Sequence, residues 1–155
     1  MKKVLIVEDE ILARLGLRQL VDWRKLELEL LPDATDGEEA LEMIRNSCPD
    51  IILLDLNIPK VSGLEILEFL KKEEMPTKVI VVSCQEEFDV VKKAMKLGAY
   101  DYLRKLNLSS DELENILEKC LVETEERITV HMQGIREIRY EEIVRDSRDI
   151  LAGAC

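Results

Sequence analysis

Histidine is nearly absent from this chain: His131 is the only one among 155 residues. The four cysteines, Cys48, Cys84, Cys120 and Cys155, are widely spaced and include no Cys-x-x-Cys pair, and no nearby histidine completes a zinc set. They are expected to be reduced thiols. Nothing around His131 resembles a phosphorylation box, so a packing or surface histidine is expected there. Long apolar runs are missing as well; none approaches the roughly 20 residues that a membrane-spanning helix needs. Met1-Lys2-Lys3 followed by Val4 to Val7 imitates a secretion signal, but Glu8, Asp9 and Glu10 cut that run short. A cytoplasmic protein without membrane contact is therefore expected. Basic charge is in deficit, 22 Lys+Arg against 33 Asp+Glu for a formal net charge of −11. Such a surface repels phosphate backbones and argues against direct nucleic-acid binding by this chain.

What is present is a soluble, globular composition, 46% hydrophobic and 35% charged. Short β-rich runs alternate with helical patterns. Lys3 to Val7 reads as a strand buried on both faces, and Ile11 to Val21 as a helix. Leu26, Leu28 and Leu30 alternate with charged residues, which suggests a second strand ending near Ala34, with Pro32 marking a sheet edge. Asp36 reads as an N-cap with Glu39 three residues on, opening a helix to about Asn46. Ile51 to Leu54, Lys78 to Val82 and Tyr100 to Leu103 read as further strands. Helices are expected over Leu64 to Lys72, over Glu86 to Leu97 closed by Gly98, and from the Ser109/Glu112 capping box to about Leu121. The expected architecture is α/β: a doubly wound five-stranded parallel sheet in the order 2-1-3-4-5. Residues 1–120 form the expected domain. Residues 121–155 break the rhythm and read as a C-terminal extension, a helical linker or tail in preference to a hairpin.

In a doubly wound sheet, ligands bind at the carboxyl ends of the strands where the strand order reverses. The first strand ends in Glu8-Asp9-Glu10 and the third in Asp55. Carboxylates converging from adjacent strand ends repel unless a cation joins them, and hard oxygen donors suit magnesium. Ser83 ends the fourth strand and the fifth leads to Lys105, so a hydroxyl and an ammonium face the same rim. Together these groups make a pocket for a phosphoryl group, with a central carboxylate able to act as nucleophile.

These residues in this order resemble the receiver domain of bacterial two-component response regulators, over residues 1 to about 120. The resemblance rests on Val4-Leu5-Ile6-Val7-Glu8-Asp9-Glu10, on Asp55 with Pro59 and Gly63, on Ser83, and on Tyr102 and Lys105. It implies that Asp55 is the phosphoacceptor, that Asp9 binds Mg2+ directly and Glu8 through water, and that Asn57 supplies a backbone carbonyl to the metal. Ser83 and Tyr102 would be the switch pair, and Lys105 would pair with a phosphoryl oxygen. The implied function is a phosphorylation-activated receiver module. It takes its phosphoryl group from a sensor histidine kinase and catalyses only its own phosphoryl transfer and dephosphorylation, to control an output such as transcription. The possible homodimer would form through the face of the fourth helix, fifth strand and fifth helix (Lys92, Lys96, Asp101, Arg104, Lys119) or through the extension. Glu87-Phe88, the run Leu97 to Leu103 and Trp23 resemble the branch with AraC-type DNA-binding output domains. No such domain is present, so a fragment of a longer regulator or a stand-alone receiver is expected. Two positions depart from the family. Leu106 stands where Pro usually follows the lysine, so a trans peptide bond is expected. Cys84 and Gln85 stand beside the switch serine, where they would govern access of water to the phosphoryl group. A magnesium-dependent phosphohydrolase is disfavoured because Asn57 stands where such enzymes carry a second Asp. A receiver that works without phosphorylation is disfavoured by the intact acidic set.

Overall fold

In the computed structural model the described residues are 1–84 and 87–136, with side chains described as far as Glu123. The elements follow in the order β1 (Lys2–Val7), α1 (Ile11–Leu20), β2 (Leu28–Leu30), α2 (Gly37–Ser47), β3 (Ile51–Leu54), α3 (Gly63–Lys72), β4 (Lys78–Ser83), α4 (Phe88–Lys96), β5 (Asp101–Arg104) and α5 (Ser110–Arg136). All four strand pairings are parallel and the sheet order is β2-β1-β3-β4-β5, as the alternating pattern implied.

The strands are apolar throughout because both of their faces are covered. Leu5, Val7, Ile52, Leu54, Val79 and Val81 pack in one layer with Ala40 and Ile44 of α2, Ile66 and Leu67 of α3, and Ala94 of α4. The intervening residues, Val4, Ile6, Ile51, Leu53, Ile80 and Val82, pack in the other layer with Leu17 of α1, Trp23, and Leu113 and Leu117 of α5. That period of two is the strand geometry itself.

Differences from the sequence reading lie at element ends. β2 covers three residues, and Leu26 sits in the turn before it, where its N–H donates to the Asp22 carbonyl at 3.3 Å. Pro32 follows the strand, and Ala34 meets β1 only through a bridge to Val7. α4 begins at Phe88; Gln85 and Glu86 lie outside the described residues. α5 continues without a break through the boundary expected near residue 120, which replaces the hairpin alternative up to Arg136. The rest of the extension, 137–155, lies outside the described residues. Cys84 and Cys120 are not disulfide-bonded. Cys48, where the chain leaves α2 at φ 46°, is disulfide-bonded, so the expectation of reduced thiols fails there.

Candidate functional site

The switch point between β1 and β3 is where the acidic residues meet. Pairing of Val7 with Leu54 brings the two strand ends level, and the Asp55 N–H donates to the Val7 carbonyl at 3.0 Å. One carboxylate oxygen each from Glu8, Asp9 and Asp55 lies within 4.8 Å of the others. Glu8 is 1% exposed and Asp55 6%, so most of this negative charge is withheld from water.

Lys105, carried by the loop after β5, reaches into the cluster. Its Nζ stands 2.9 Å from both Glu8 carboxylate oxygens, 3.1 Å from Asp55 Oδ2 and 3.8 Å from Glu10 Oε2. No cis peptide bond occurs among the described residues, so Leu106 follows Lys105 through a trans bond, as expected. Asp55 Oδ1 accepts from the Asn57 N–H at 3.1 Å, and Glu8 Oε1 accepts from the Glu10 N–H at 3.1 Å. Burial pushes the Glu8 carboxyl up to about 7, against the hydrogen bonds from Lys105 and the Glu10 N–H, with the Asp55 charge adding to the rise. Burial also works against the Lys105 ammonium, but its hydrogen bonds to Glu8 and Asp55 outweigh that and hold its pKa above the usual lysine range.

Above the cluster opens a crevice of about 630 Å³, lined by Asp9, Glu10, Asp55, Asn57, Ser83, Cys84, Glu87 and Lys105. Ser83 is 1% exposed. Val81 pairs with Tyr102, and Ser83 lies two residues beyond Val81, so Ser83 and Tyr102 share the face of the sheet covered by α2, α3 and α4. The partly buried Tyr102 ring packs against that layer.

The loop after β3 is held from the side. The Gly37 N–H at the start of α2 donates to the Pro59 carbonyl at 3.0 Å, and Lys60 pairs with Asp36 at 3.3 Å. Two further residues, which the sequence reading did not single out, hold the loop after β1. Arg14 Nη1 donates to the carbonyls of Glu8 at 3.0 Å and Asp9 at 2.9 Å, and Asp33 faces the same guanidinium. A signal was available: a cation in the first turn of a helix opposes the helix dipole, so Arg14 needs a local partner.

The donor set fits a hard divalent cation. Its side-chain donors are carboxylate oxygens, they converge from two strand ends, and Lys105 alone does not balance three carboxylates.

Fold and site thus define a doubly wound α/β domain with an acidic crevice at its topological switch point. The profile of the response regulator receiver domain matches residues 4–118, and the chain belongs to that family. It is 33% identical over 118 residues to an uncharacterized response regulatory protein of Staphylococcus epidermidis, covering 76% of this chain and 46% of that protein. It is 35% identical over 103 residues to the transcriptional regulatory protein DegU of Brevibacillus brevis, covering 66% of this chain and 43% of that one. The chain therefore spans less than half the length of these relatives. Among solved structures, the REC domain of AraT, a response regulator from Geobacillus stearothermophilus, superposes with a TM-score of 0.73 at 31% identity. That match covers 81% of this chain and 97% of the other. No helix among the described residues is long and apolar enough to cross a membrane.

Proposed function

We propose that this receiver domain is switched by phosphorylation of Asp55, with a sensor histidine kinase as donor. The observation that carries the reading is the meeting of Glu8, Asp9 and Asp55 around the Lys105 ammonium at the floor of an open crevice. Asp9, Asp55 and the Asn57 carbonyl would hold Mg2+, with Glu8 beside them. The ion supplies positive charge against the phosphoryl oxygens when bound.

A carboxylate oxygen of Asp55 attacks the phosphorus of a phosphohistidine. The P–O bond forms as the P–N bond breaks, and the electron pair leaves on the imidazole, which takes a proton from water. The product is an acyl phosphate. Lys105 follows the charge from the carboxylate to the phosphoryl oxygens, and the Ser83 hydroxyl donates to one of them. With Ser83 engaged, Tyr102 on the same face repacks, and the surface of α4, β5 and α5 reports the change; Lys92, Lys96, Asp101, Arg104 and Lys119 on it would serve a homodimer. Cys84 at the rim would slow attack by water on the acyl phosphate. We place the protein in the cytoplasm, with transcription as its output through a part of the regulator outside this chain. Residues 1–120 would be the receiver proper and 121–155 a helical connection.

Intact mass after incubation with Mg2+ and acetyl phosphate tests the reading. One added phosphoryl group is expected, absent with a chelator and absent in Asp55→Asn. An unmodified mass, also with histidine kinases as donors, overturns it. So does free phosphate released over many fast turnovers, which would make the chain a hydrolase.

A further inference from the structure

Glu8 and Asp9 are neighbours in sequence, and neighbours at the end of a strand point to opposite faces. Yet both carboxylates reach the same point in the crevice with Asp55. The backbone has therefore turned at these two residues, and the geometry of Arg14 shows what holds the turn. A single nitrogen, Nη1, donates to two consecutive carbonyls, at 3.0 Å to Glu8 and 2.9 Å to Asp9. In a continuing strand those carbonyls would point apart. Asp33 lies 4.0 Å from Arg14 Nε and is itself fixed by Arg18 Nη1 at 2.7 Å. Both Arg14 and Asp33 are largely shielded, at 17% and 15% side-chain exposure.

We propose that Arg14 is a positioning residue for the cation site: braced by Asp33, it pins the turned Glu8–Asp9 backbone so that both carboxylates face Asp55. This rests on the reading of the crevice as a magnesium and phosphoryl site. Arg14 also occupies both carbonyls, leaving the side-chain oxygens of Glu8 and Asp9 as the donors for a metal. Its planar fork spans two carbonyls and a carboxylate at once, which a lysine ammonium on a flexible stem does not reproduce. Arg18 is the internal control, because it shares Asp33 and holds the Leu31 carbonyl at 3.3 Å, while its hydrogen bonds go to neither Glu8 nor Asp9.

Magnesium binding by calorimetry on the whole chain, for the wild type, Arg14→Gln, Arg14→Lys and Arg18→Gln, provides the test. Buried Trp23 fluorescence reports which variants are folded. Both Arg14 variants are expected to bind Mg2+ about tenfold more weakly, the scale seen when groups that orient metal ligands are removed. Arg18→Gln, which loosens the Asp33 brace but leaves both carbonyls pinned, is expected to lose clearly less affinity than the Arg14 variants. At saturating Mg2+, the rate of phosphorylation by acetyl phosphate should return to near the wild-type value in the Arg14 variants, since the placed carboxylates and not the chemistry were lost. Should Arg14→Gln unfold, Arg14→Lys carries the comparison. Unchanged affinity in the Arg14 variants, an equal loss in Arg18→Gln, or a rate that stays low at saturation each overturns the proposal while leaving the phosphoacceptor reading in place. A wild-type chain that fails to bind Mg2+ overturns both.

Discussion

A methyl group can decide whether the phosphoacceptor loop keeps its shape. A Cβ on Gly37 would stand 2.0 Å from the Val61 carbonyl oxygen and 2.5 Å from Val61 Cβ. That obstacle is backbone of the loop that also carries Asp55 and Asn57, so it yields only by moving the site. Gly37→Ala is expected to cost about 1–3 kcal/mol in urea unfolding, the scale of overpacking. Gly16, exposed inside α1, has nothing within 4 Å of the same added atom. Gly16→Ala should instead stabilise by about 0.5–1 kcal/mol, since only helix propensity changes. Equal effects at the two positions would rule out the close approach at Gly37 as the cause. Glu8 gives a second prediction, for the chain in chelator. Burial raises its folded-state pKa from 4.5 to about 7, so between those values the folded chain holds more proton than the unfolded one. Stability from this group is complete below the lower value and is lost as pH rises through the upper one. The urea midpoint should fall between about pH 5 and about pH 8, and Glu8→Gln should flatten that fall. A midpoint equally pH-dependent in the variant assigns the titration elsewhere.

Helix starts show which local signals carry weight. Ser62 accepts from the Glu65 N–H at 3.3 Å while the Glu65 carboxylate accepts from the Ser62 N–H at 2.8 Å, a reciprocal cap on α3. Ser62→Ala should cost about 1 kcal/mol, read as a shift of urea midpoint without change of slope. A loss below a few tenths would show that solvent replaces the cap at no cost. The sequence reading found the caps at Asp36 and Ser109 and passed over this one, starting the helix at Leu64 where α3 begins at Gly63. Strands were more legible than their neighbours. Ile51–Leu54 stands where its unbroken apolar run placed it, since burial on both faces leaves no polar residue to blur the ends. β2 was drawn too long because alternating Leu26, Leu28 and Leu30 suit both a strand and the turn that precedes one. The carboxylates, Ser83 and Lys105 were legible because strand ends can be counted. For Arg14 the sequence signals only the need for a partner, and for Asp33 nothing, because their roles depend on a backbone turn and on a contact between distant segments.

Across the whole molecule, one sheet serves two cores, and the crevice draws residues from both sides. Asp9 and Glu10 lead into α1, which packs on the Trp23 layer, whereas Glu87 leads into α4, which packs on the Ile44 layer. The strands between them are one residue thick, with alternate side chains committed to opposite layers. A defect in either layer must therefore loosen the same backbone hydrogen bonds and reach the other. Ile44→Ala, in a fully buried site on the α2 face, should cost about 2–5 kcal/mol. Trp23, the single tryptophan, reports from the opposite face, where it is buried and its Nε1 donates to the Arg18 carbonyl at 3.0 Å. If the two layers unfold as one unit, Ile44→Ala moves the Trp23 fluorescence transition and the far-ultraviolet circular dichroism transition by the same amount. Loss of phosphorylation by acetyl phosphate should then follow that common transition. A Trp23 transition that stays at its wild-type midpoint while the helical signal moves would show two independent layers. The crevice could then lose its α4 wall while β1 and α1 remained in place.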